Sequence, residues 1–367
     1  MKKMKLQDCC IFISDGDHQA PPKSDEGVPF ITISNITPNN KLDFDNVMHV
    51  PIDYYENITD EKKAKENDIL YSVVGSFGKP VLINKNIKFV FQRHIAILRP
   101  NTDKVMPEFL YFYMLNPRFY AIVDNLAIGA AQRTLSLESL RNIEIELPSL
   151  DNQKKMVDII NPIEEKIRVN MQINDYLEQQ ALLIFRNMFY NISYGSNHVG
   201  DYITPRRGKV LLSKDAIPGC VPVIAGGLVP ATYHNVSNTA APVLTISGSG
   251  ANAGYINIWY DSVWSSDSSY IDSDMTSNVY FWYAFLKSRQ QDIFDIQTGS
   301  AQPHIYPKHI AELSIGDVDD AKVNSYTSQV TPLFAKIGAN IRENNKLKQL
   351  RDWLLPMLMN GQATIED

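Results

Sequence analysis

Basic and amide side chains are concentrated in two turn-rich loops of this 367-residue chain. The first loop, Asp15–Lys23, includes two consecutive prolines, and the second, Thr204–Lys209, is the densest basic cluster of its region. Arginine, lysine and glutamine donate hydrogen bonds to phosphate groups and to the edges of nucleic-acid bases. The candidate residues in these loops are His18, Gln19, Lys23, Arg206, Arg207 and Lys209. A solvated loop without a ligand is the alternative interpretation of both segments.

Two further loops are rich in glycine or serine and follow predicted strands. Gly75–Pro80 lacks the first glycine of a P-loop and has proline where that motif requires serine or threonine. Ser247–Gly254 has a glycine spacing one residue longer than the dinucleotide fingerprint, and a strand-like run follows it. Nucleotide binding is therefore not expected, although both loops can still contact phosphates or base edges. The candidates here are Lys79, Ser247, Ser249 and Asn252.

Two stretches of the chain match at a constant offset of 170 residues. Gly129–Arg133 corresponds to Gly299–Pro303, and the ungapped register of the first copy extends from about residue 109 to residue 188. So long a match indicates a tandem repeat. Because glutamine can read adenine, the matched loops add Gln132, Arg133, Gln302 and His304 to the candidate contacts. A glutamine that caps a local turn is the alternative.

Apolar residues recur at alternating spacings of three and four in each copy, which is the heptad signature of a coiled coil. Asparagine occupies two matched positions in each seam, where it costs stability but specifies register and orientation. The residues predicted to pair the helices are Ile160, Ile163, Ile167, Asn170, Asn174, Leu177, Ile184, Leu333, Ile337, Asn340, Asn344, Leu347 and Leu354.

Three prolines fall within the predicted helices. Pro162 and Pro332 cannot lie inside a helix without a kink, so each is expected to mark a bend or the true start of its helix. Arg351 and Pro356 interrupt the second seam, and that helix is expected to break at Pro356 or shortly after it.

Short strand-like runs separated by turns fill the segments before the two seams, and each segment has one aromatic-rich helix, near residues 107–118 and 277–291. The predicted fold class is therefore α+β, with two domains in tandem, each large enough for its own core and followed by a long helix. Two copies related by a two-fold axis would pair their helices antiparallel, and parallel packing stays open. The predicted bounds are 1–150 and 195–315 for the domains, and 151–194 and 316–367 for the helix blocks.

The sequence shows none of the motifs that indicate catalysis or a bound metal ion. It has no H-E-x-x-H and no paired C-x-x-C, and Asp267 is interpreted as a solvated loop carboxylate. Three cysteines indicate no disulfide framework, no apolar run is long enough to span a bilayer, and the N-terminus lacks a signal peptide. We therefore expect a cytoplasmic, non-membrane protein without catalytic residues, metal or cofactor of its own.

The net charge of −6 argues against a protein that coats nucleic acid electrostatically. No segment of the predicted architecture is basic. Any contact with nucleic acid must therefore be made by local groups.

Several motifs together resemble the specificity (S) subunits of type I restriction-modification enzymes, over essentially the whole chain. The motifs are Asp15-Gly-Asp-His18, Gly129-Ala-Ala-Gln-Arg-Thr-Leu135, Leu147-Pro-Ser-Leu-Asp-Asn-Gln153, Gly226-Gly227, Ile246-Ser-Gly-Ser-Gly250, Ser265-Ser-Asp267, Gly299-Ser-Ala-Gln-Pro303 and Leu350-Arg-Asp-Trp-Leu-Leu-Pro-Met-Leu-Met-Asn-Gly361. The resemblance implies two target-recognition domains, each reading one half of a split double-stranded DNA target through the major groove.

The resemblance also implies partners. The helices would set the unspecified spacer of the target and dock methyltransferase (M) subunits, and restriction (R) subunits would join through the M complex. S-adenosylmethionine and ATP would then be bound by those partners.

Two other classes of function are weighed against this one. A non-enzymatic, two-lobed protein- or glycan-binding module on a coiled coil would use aromatic loops, such as Trp259, Tyr260 and Trp264, as ligand platforms. An enzyme such as a nuclease is disfavoured because the acidic or metal constellation it needs is not apparent.

Overall fold

The chain divides into two compact units in a computed structural model that describes residues 2–37, 39–45, 47–129, 133–299 and 302–359. One unit comprises Met1–Lys166 with Lys346–Asp367, and the other comprises Ile167–Asn345. No helix among the described residues is both long and apolar enough to cross a membrane.

The first unit combines three small sheets with helices. Its strands are β1 (Lys2–Lys5), β2 (Cys10–Asp15), β3 (Val28–Ile31), β4 (Met48–Val50), β5 (Ile69–Ser72), β6 (Pro80–Leu82), β7 (Val90–Phe91), β8 (Ile95–Pro100) and β9 (Glu144–Leu147). Its helices are α1 (Leu6–Cys9), α2 (Ile52–Asn57), α3 (Pro107–Leu115), α4 (Pro117–Leu126), α5 (Leu137–Asn142) and the first part of α6 (Leu150–Met188). The sheets have the orders β2-β8-β5-β6, β4-β3-β7 and β1-β9, and the pair β3–β7 is parallel.

The second unit follows the same plan. Its strands are β10 (Asn197–His198), β11 (Arg206–Arg207), β12 (Val221–Ile224), β13 (Thr232–His234), β14 (Val243–Ser247), β15 (Ile256–Trp259), β16 (Trp264–Ser265), β17 (Ser268–Asp272) and β18 (Ser314–Ile315). Its helices are the end of α6, α7 (Val279–Ser288), α8 (Gln290–Asp295), α9 (Pro307–Ala311) and most of α10 (Asp320–Met359). The sheet orders are β11-β17-β14-β15, β13-β12-β16 and β10-β18, and β12–β16 is parallel.

The tandem repeat predicted from the sequence is thus present in the topology. Thr134 forms isolated bridges with Val74 and Ile128, and His304, which lies 170 residues later in the chain, forms them with Ser249 and Thr298. The predicted fold class is confirmed, because each unit mixes strands with helices and is followed in the chain by a long helix.

Aromatic side chains fill the cores of both units. In the first unit, Tyr71 and Phe119 are fully buried and meet edge to face with ring centroids 6.1 Å apart. In the second unit, Phe281 of α7 packs against Phe185 and Phe189 of α6. Burying such rings supplies much of the hydrophobic stabilisation of a core.

The single aromatic-rich helix expected in each domain is two consecutive helices. In the first unit the Asn116 side chain accepts a hydrogen bond from the Arg118 N–H, and Pro117 occupies the first position of α4, so a new helix starts there. In the second unit Arg289 separates α7 from α8.

The long helices pack antiparallel within each unit, so the parallel alternative is wrong. In the second unit the Asn170 amide donates to Asn344 Oδ1 at 2.9 Å, and Asn340 donates to Asn174 Oδ1 at 2.8 Å. Each bond joins a residue of one seam to the other seam, and the repeat exchanges the two bonds. In the first unit Ile160 packs with Leu355 and Leu358.

The prolines mark neither helix start. Helix α6 begins at Leu150 and runs through Pro162, and α10 begins at Asp320 and runs through Pro332. The carbonyls that lose a donor belong to Asp158 and Ser328, which are exposed residues, so water can replace the missing N–H. Helix α10 also continues past Pro356 to Met359.

The predicted seam is followed only in part. Ile160, Ile167, Asn170, Ile337, Asn340 and Asn344 are buried, whereas Ile163, Asn174, Leu177, Ile184, Leu333, Leu347 and Leu354 are partly buried. Near the end of α6 the buried positions are Phe185 and Phe189. The seam drifts there because an α-helix has 3.6 rather than 3.5 residues per turn.

Candidate nucleic-acid interface

Four segments of the first unit meet at one place, which we call the first loop cluster (residues 15–19, 73–79, 92–94 and 133–135). The Asp17 N–H donates to Phe91 O at 2.8 Å, and the Val73 N–H donates to His94 O at 2.9 Å. The Gly75 N–H donates to Arg133 O at 3.0 Å. Backbone hydrogen bonds therefore hold these loops together.

The second unit builds the same arrangement, the second loop cluster (residues 206–209, 247–254, 265–267 and 303–306). The Lys209 N–H donates to Ser265 O at 2.9 Å, and the Gly248 N–H donates to Asp267 O at 3.0 Å. The Gly250 N–H donates to Pro303 O at 3.0 Å. These bonds match those of the first loop cluster one for one, so the two basic or polar loops singled out in the sequence occupy equivalent places.

Most of the predicted residues of the first unit lie in or beside the first loop cluster. His18 is exposed and its Nε2 lies 2.7 Å from Asp15 Oδ2, and the Gln19 side chain is exposed beside it. Lys79 is half-buried, and Lys23 is exposed on the segment that leads to β3. Gln132 lies outside the described residues.

Arg133 is held by internal contacts. Its guanidinium donates to Asp124 Oδ1, to the Asp124 carbonyl and to Ala127 O, and lies 5.4 Å from the centroid of the Phe77 ring. Two of its three nitrogens are therefore engaged, and the residue serves chiefly to fasten the loop that carries it.

The second loop cluster brings together Arg207, Ser249, Asp267 and Tyr306. Asp267 accepts hydrogen bonds from Arg207 Nη2 through Oδ1 and from the Ser249 hydroxyl through Oδ2. The Arg207 guanidinium also lies 5.8 Å from the centroid of the Tyr306 ring. This arrangement is an ordered, charged patch at the surface.

The other predicted residues of the second unit differ in accessibility. Arg206, Lys209 and Gln302 are exposed, and the His304 ring stacks on Tyr306 with centroids 5.9 Å apart. Asn252 is half-buried. The exposed fraction of Ser247 is 5%, so we withdraw this side chain as a contact; its place inside β14, paired with Ser268, explains the burial.

Sequence reasoning missed four residues of these clusters: Arg93, His94, Asp267 and Tyr306. Asp267 is not a solvated loop carboxylate, since it accepts two side-chain hydrogen bonds. The Ser265-Ser-Asp267 motif was a signal for it, but its bonding partners are 18 and 60 residues away in the chain.

Two pKa shifts report on the surroundings of the clusters. Burial and a hydrogen bond to Asp17 raise the pKa of Tyr54 to about 12. Burial, with the nearby Lys308 charge, lowers the pKa of His309 below its usual 6.5. His309 Nδ1 accepts a hydrogen bond from the Tyr306 N–H at 3.3 Å, which requires the neutral ring.

The aromatic loops of the protein- or glycan-binding alternative are part of the fold. The Trp259 indole donates to Thr245 Oγ1, and the Trp264 indole donates to Lys209 O, both at 2.8 Å. Tyr260 packs against Phe334. No group of acidic, histidine and cysteine side chains that could hold a metal ion is found among the described residues.

Comparisons with known proteins were made for the sequence and for the fold. A family model described as the type I restriction modification DNA specificity domain matches residues 1–179. The type I restriction enzyme HindI specificity subunit of Haemophilus influenzae is 28% identical over 169 residues, which is 44% of this chain and 35% of that subunit. The MjaIX specificity subunit of Methanocaldococcus jannaschii is 22% identical over 310 residues, covering 72% of this chain and 71% of that subunit.

A solved structure has the same fold. The type I restriction-modification S subunit from M. genitalium superposes with a TM-score of 0.54 at 17% identity, over 97% of this chain and 95% of that one. The sequence matches to the HindI and EcoBI subunits span 35% and 20% of those proteins. No relative supports a protein- or glycan-binding module. The comparisons confirm the family resemblance of the sequence: the chain has the fold of a type I specificity subunit and holds, in residues 1–179, the DNA specificity domain of type I restriction-modification systems.

Proposed function

We propose that the chain is the DNA-specificity subunit of a type I restriction-modification complex and that each unit reads one half of a split duplex target. The observation that carries the proposal is the loop cluster, built twice from equivalent backbone bonds but with different side chains. One scaffold with two sets of side chains is what the recognition of two different half-sites requires.

We further propose that the long helices set the unspecified spacer and dock M subunits, and that R subunits join through M. The antiparallel asparagine bonds support a defined register for the helices. In this proposal the chain is a non-catalytic, cytoplasmic subunit, and S-adenosylmethionine and ATP bind to its partners.

The charge of the chain is compatible with this division of labour. A net charge of −6 cannot supply the affinity for duplex DNA by itself, so we assign much of the phosphate neutralisation to the partners. Exposed cations at the loop clusters, such as Arg93, Arg206 and Lys209, would supply local contacts.

Selection from a library of random duplexes tests the proposal. The full chain is co-expressed with the M subunits of its own system, and bound duplexes are sequenced. We expect two short specified blocks separated by a constant number of unspecified base pairs. Selection without such a split motif, or the same motif with M subunits alone, would contradict the proposed function.

A further inference from the structure

Arg207 is restrained on several sides although it lies at the surface. It belongs to the two-residue strand β11, its Nη2 donates to Asp267 Oδ1, and its guanidinium lies against Tyr306. Its side chain is 36% exposed and that of Asp267 is 31% exposed. An arginine restrained in this way loses less conformational entropy on binding than a free surface arginine.

Asp267 is itself fastened in place. Its Oδ2 accepts from the Ser249 hydroxyl, and its backbone oxygen accepts from the Gly248 N–H at 3.0 Å. A Cβ atom at Gly248 would lie 2.5 Å from Arg207 Nη1 and 2.8 Å from Asp267 O. Glycine at this position therefore makes room for the ion pair.

The ion pair keeps unused hydrogen-bonding capacity. Nε and Nη1 of Arg207 have no hydrogen-bond acceptor among the residues that the structure describes. Arginine carries five N–H donors, so donors remain available at the surface of the cluster.

A base edge suits this pair better than a phosphate does. The carboxylate of Asp267 cancels the charge of Arg207 and would repel a phosphate placed beside it. A guanine edge presents two neutral acceptors, O6 and N7, which arginine contacts in a bidentate manner. The adjacent Arg206 is exposed and has no ion pair among the described residues, so it is the better phosphate ligand.

The first unit lacks the pair at the equivalent place. The Gly16 N–H donates to Ile95 O as the Gly208 N–H donates to Ser268 O, so Asp15 is the counterpart of Arg207. His94 is the counterpart of Asp267, because their carbonyls accept the matching bonds from Val73 and Gly248. The arginine–aspartate pair is thus a property of the second unit.

We propose that Arg207 reads one guanine in the half-site of the second unit and that Asp267 is the positioning residue that aims it. The inference rests on the proposed function and adds the base and the residue that reads it. Because the counterparts differ in the first unit, the guanine requirement belongs to one half-site.

The test measures dissociation constants of the full chain, assembled with its M subunits, for duplexes in which each G·C pair of the selected motif is replaced by A·T. For the wild-type complex we expect one replacement in the second half-site to weaken binding about 5- to 150-fold through Arg207. With Arg207→Ala or Arg207→Lys, the same replacement should have little further effect. Asp267→Asn should reduce the discrimination at that base pair and leave the other positions as they are.

Arg206→Ala is the matched control, since it removes the same side chain from the neighbouring residue. We expect it to weaken binding to all duplexes alike and to lower the salt dependence by about one counterion. If Arg207→Ala behaves in this uniform way, or keeps full discrimination at every G·C pair, the inference is wrong while the proposed function stands. A wild-type complex without any sequence preference would overturn both.

Discussion

At the scale of single residues, specificity depends on side chains that the backbone of the loop clusters presents. Gly248 shows how narrow the tolerance is, because an added Cβ would displace both partners of the Arg207–Asp267 pair. We expect Gly248→Ala to cost about 1–3 kcal/mol of stability through local overpacking. It should also abolish base preference in the second half-site, as measured by thermal unfolding and duplex selection.

Gly227→Ala provides the control for this substitution. A Cβ at Gly227 would meet its nearest neighbour, Val229 O, at 3.5 Å, which is an ordinary contact. This variant should keep wild-type stability. Retention of the full second half-site by Gly248→Ala would show that the pair is not positioned as described.

His309 gives a pH-dependent prediction. Its pKa is lowered in the folded chain, so below about pH 6.5 the unfolded chain binds more protons and the free energy of unfolding falls as pH falls. Protonation also removes the acceptor of the Tyr306 N–H. The ring should titrate below 6.5 when followed by NMR, and a midpoint at or above 6.5 would refute the assignment.

The sequence was informative about which loops matter and less informative about which side chains meet. Residue type and glycine-rich context identified Arg206, Arg207 and Lys209. The partners Asp267 and Tyr306 could not be identified in this way, because the contacts that join them to Arg207 span 60 and 99 residues of the chain. Burial of Ser247 likewise follows from strand pairing rather than from residue type.

At the scale of elements, the asparagines of the long helices specify register. Asn170 is 1% exposed and bonds to Asn344, so Asn170→Leu leaves a buried amide oxygen without its donor. We expect a loss of about 1–3 kcal/mol in urea unfolding. Replacing both residues by leucine should recover most of this loss. A double variant no more stable than Asn170→Leu would indicate that the pair does not act as a unit.

Helix α6 also tests where its packed face lies. Phe185 is 2% exposed and touches three other aromatic rings, so Phe185→Ala should cost about 3–5 kcal/mol. Leu183, which is 56% exposed, should change the free energy of unfolding by less than about 0.5 kcal/mol on the same substitution. Equal losses at the two positions would contradict the observed drift of the seam.

The heptad pattern predicted the helices and their pairing residues but not their ends. The periodic signal is weak before Pro162 and Pro332, so proline seemed a natural start. Exposed residues at Asp158 and Ser328 explain how the helices pass through both prolines. Similarly, Arg351 does not end the second helix, because its guanidinium pairs with Glu164 and with Asp352.

At the scale of the whole molecule, the repeat is the main feature, and the sequence revealed it. The offset of 170 residues appears in the matching bridges of Thr134 and His304 and in the sheet orders of the two units. The strand order itself could not be predicted, since the sheets join strands that are distant in the chain. Two units with one topology and different loop side chains favour two separate readers.

Independence of the two readers is the central claim, and the methylation pattern of cells that hold the M subunits tests it most directly. Sequencing of modified bases should reveal a split motif only when the full chain is present. Arg207→Ala should change the half read by the second unit, and Arg93→Ala should change or weaken only the other half. A methylation pattern that is the same with and without the chain, or that loses both halves with either variant, would contradict this mechanism.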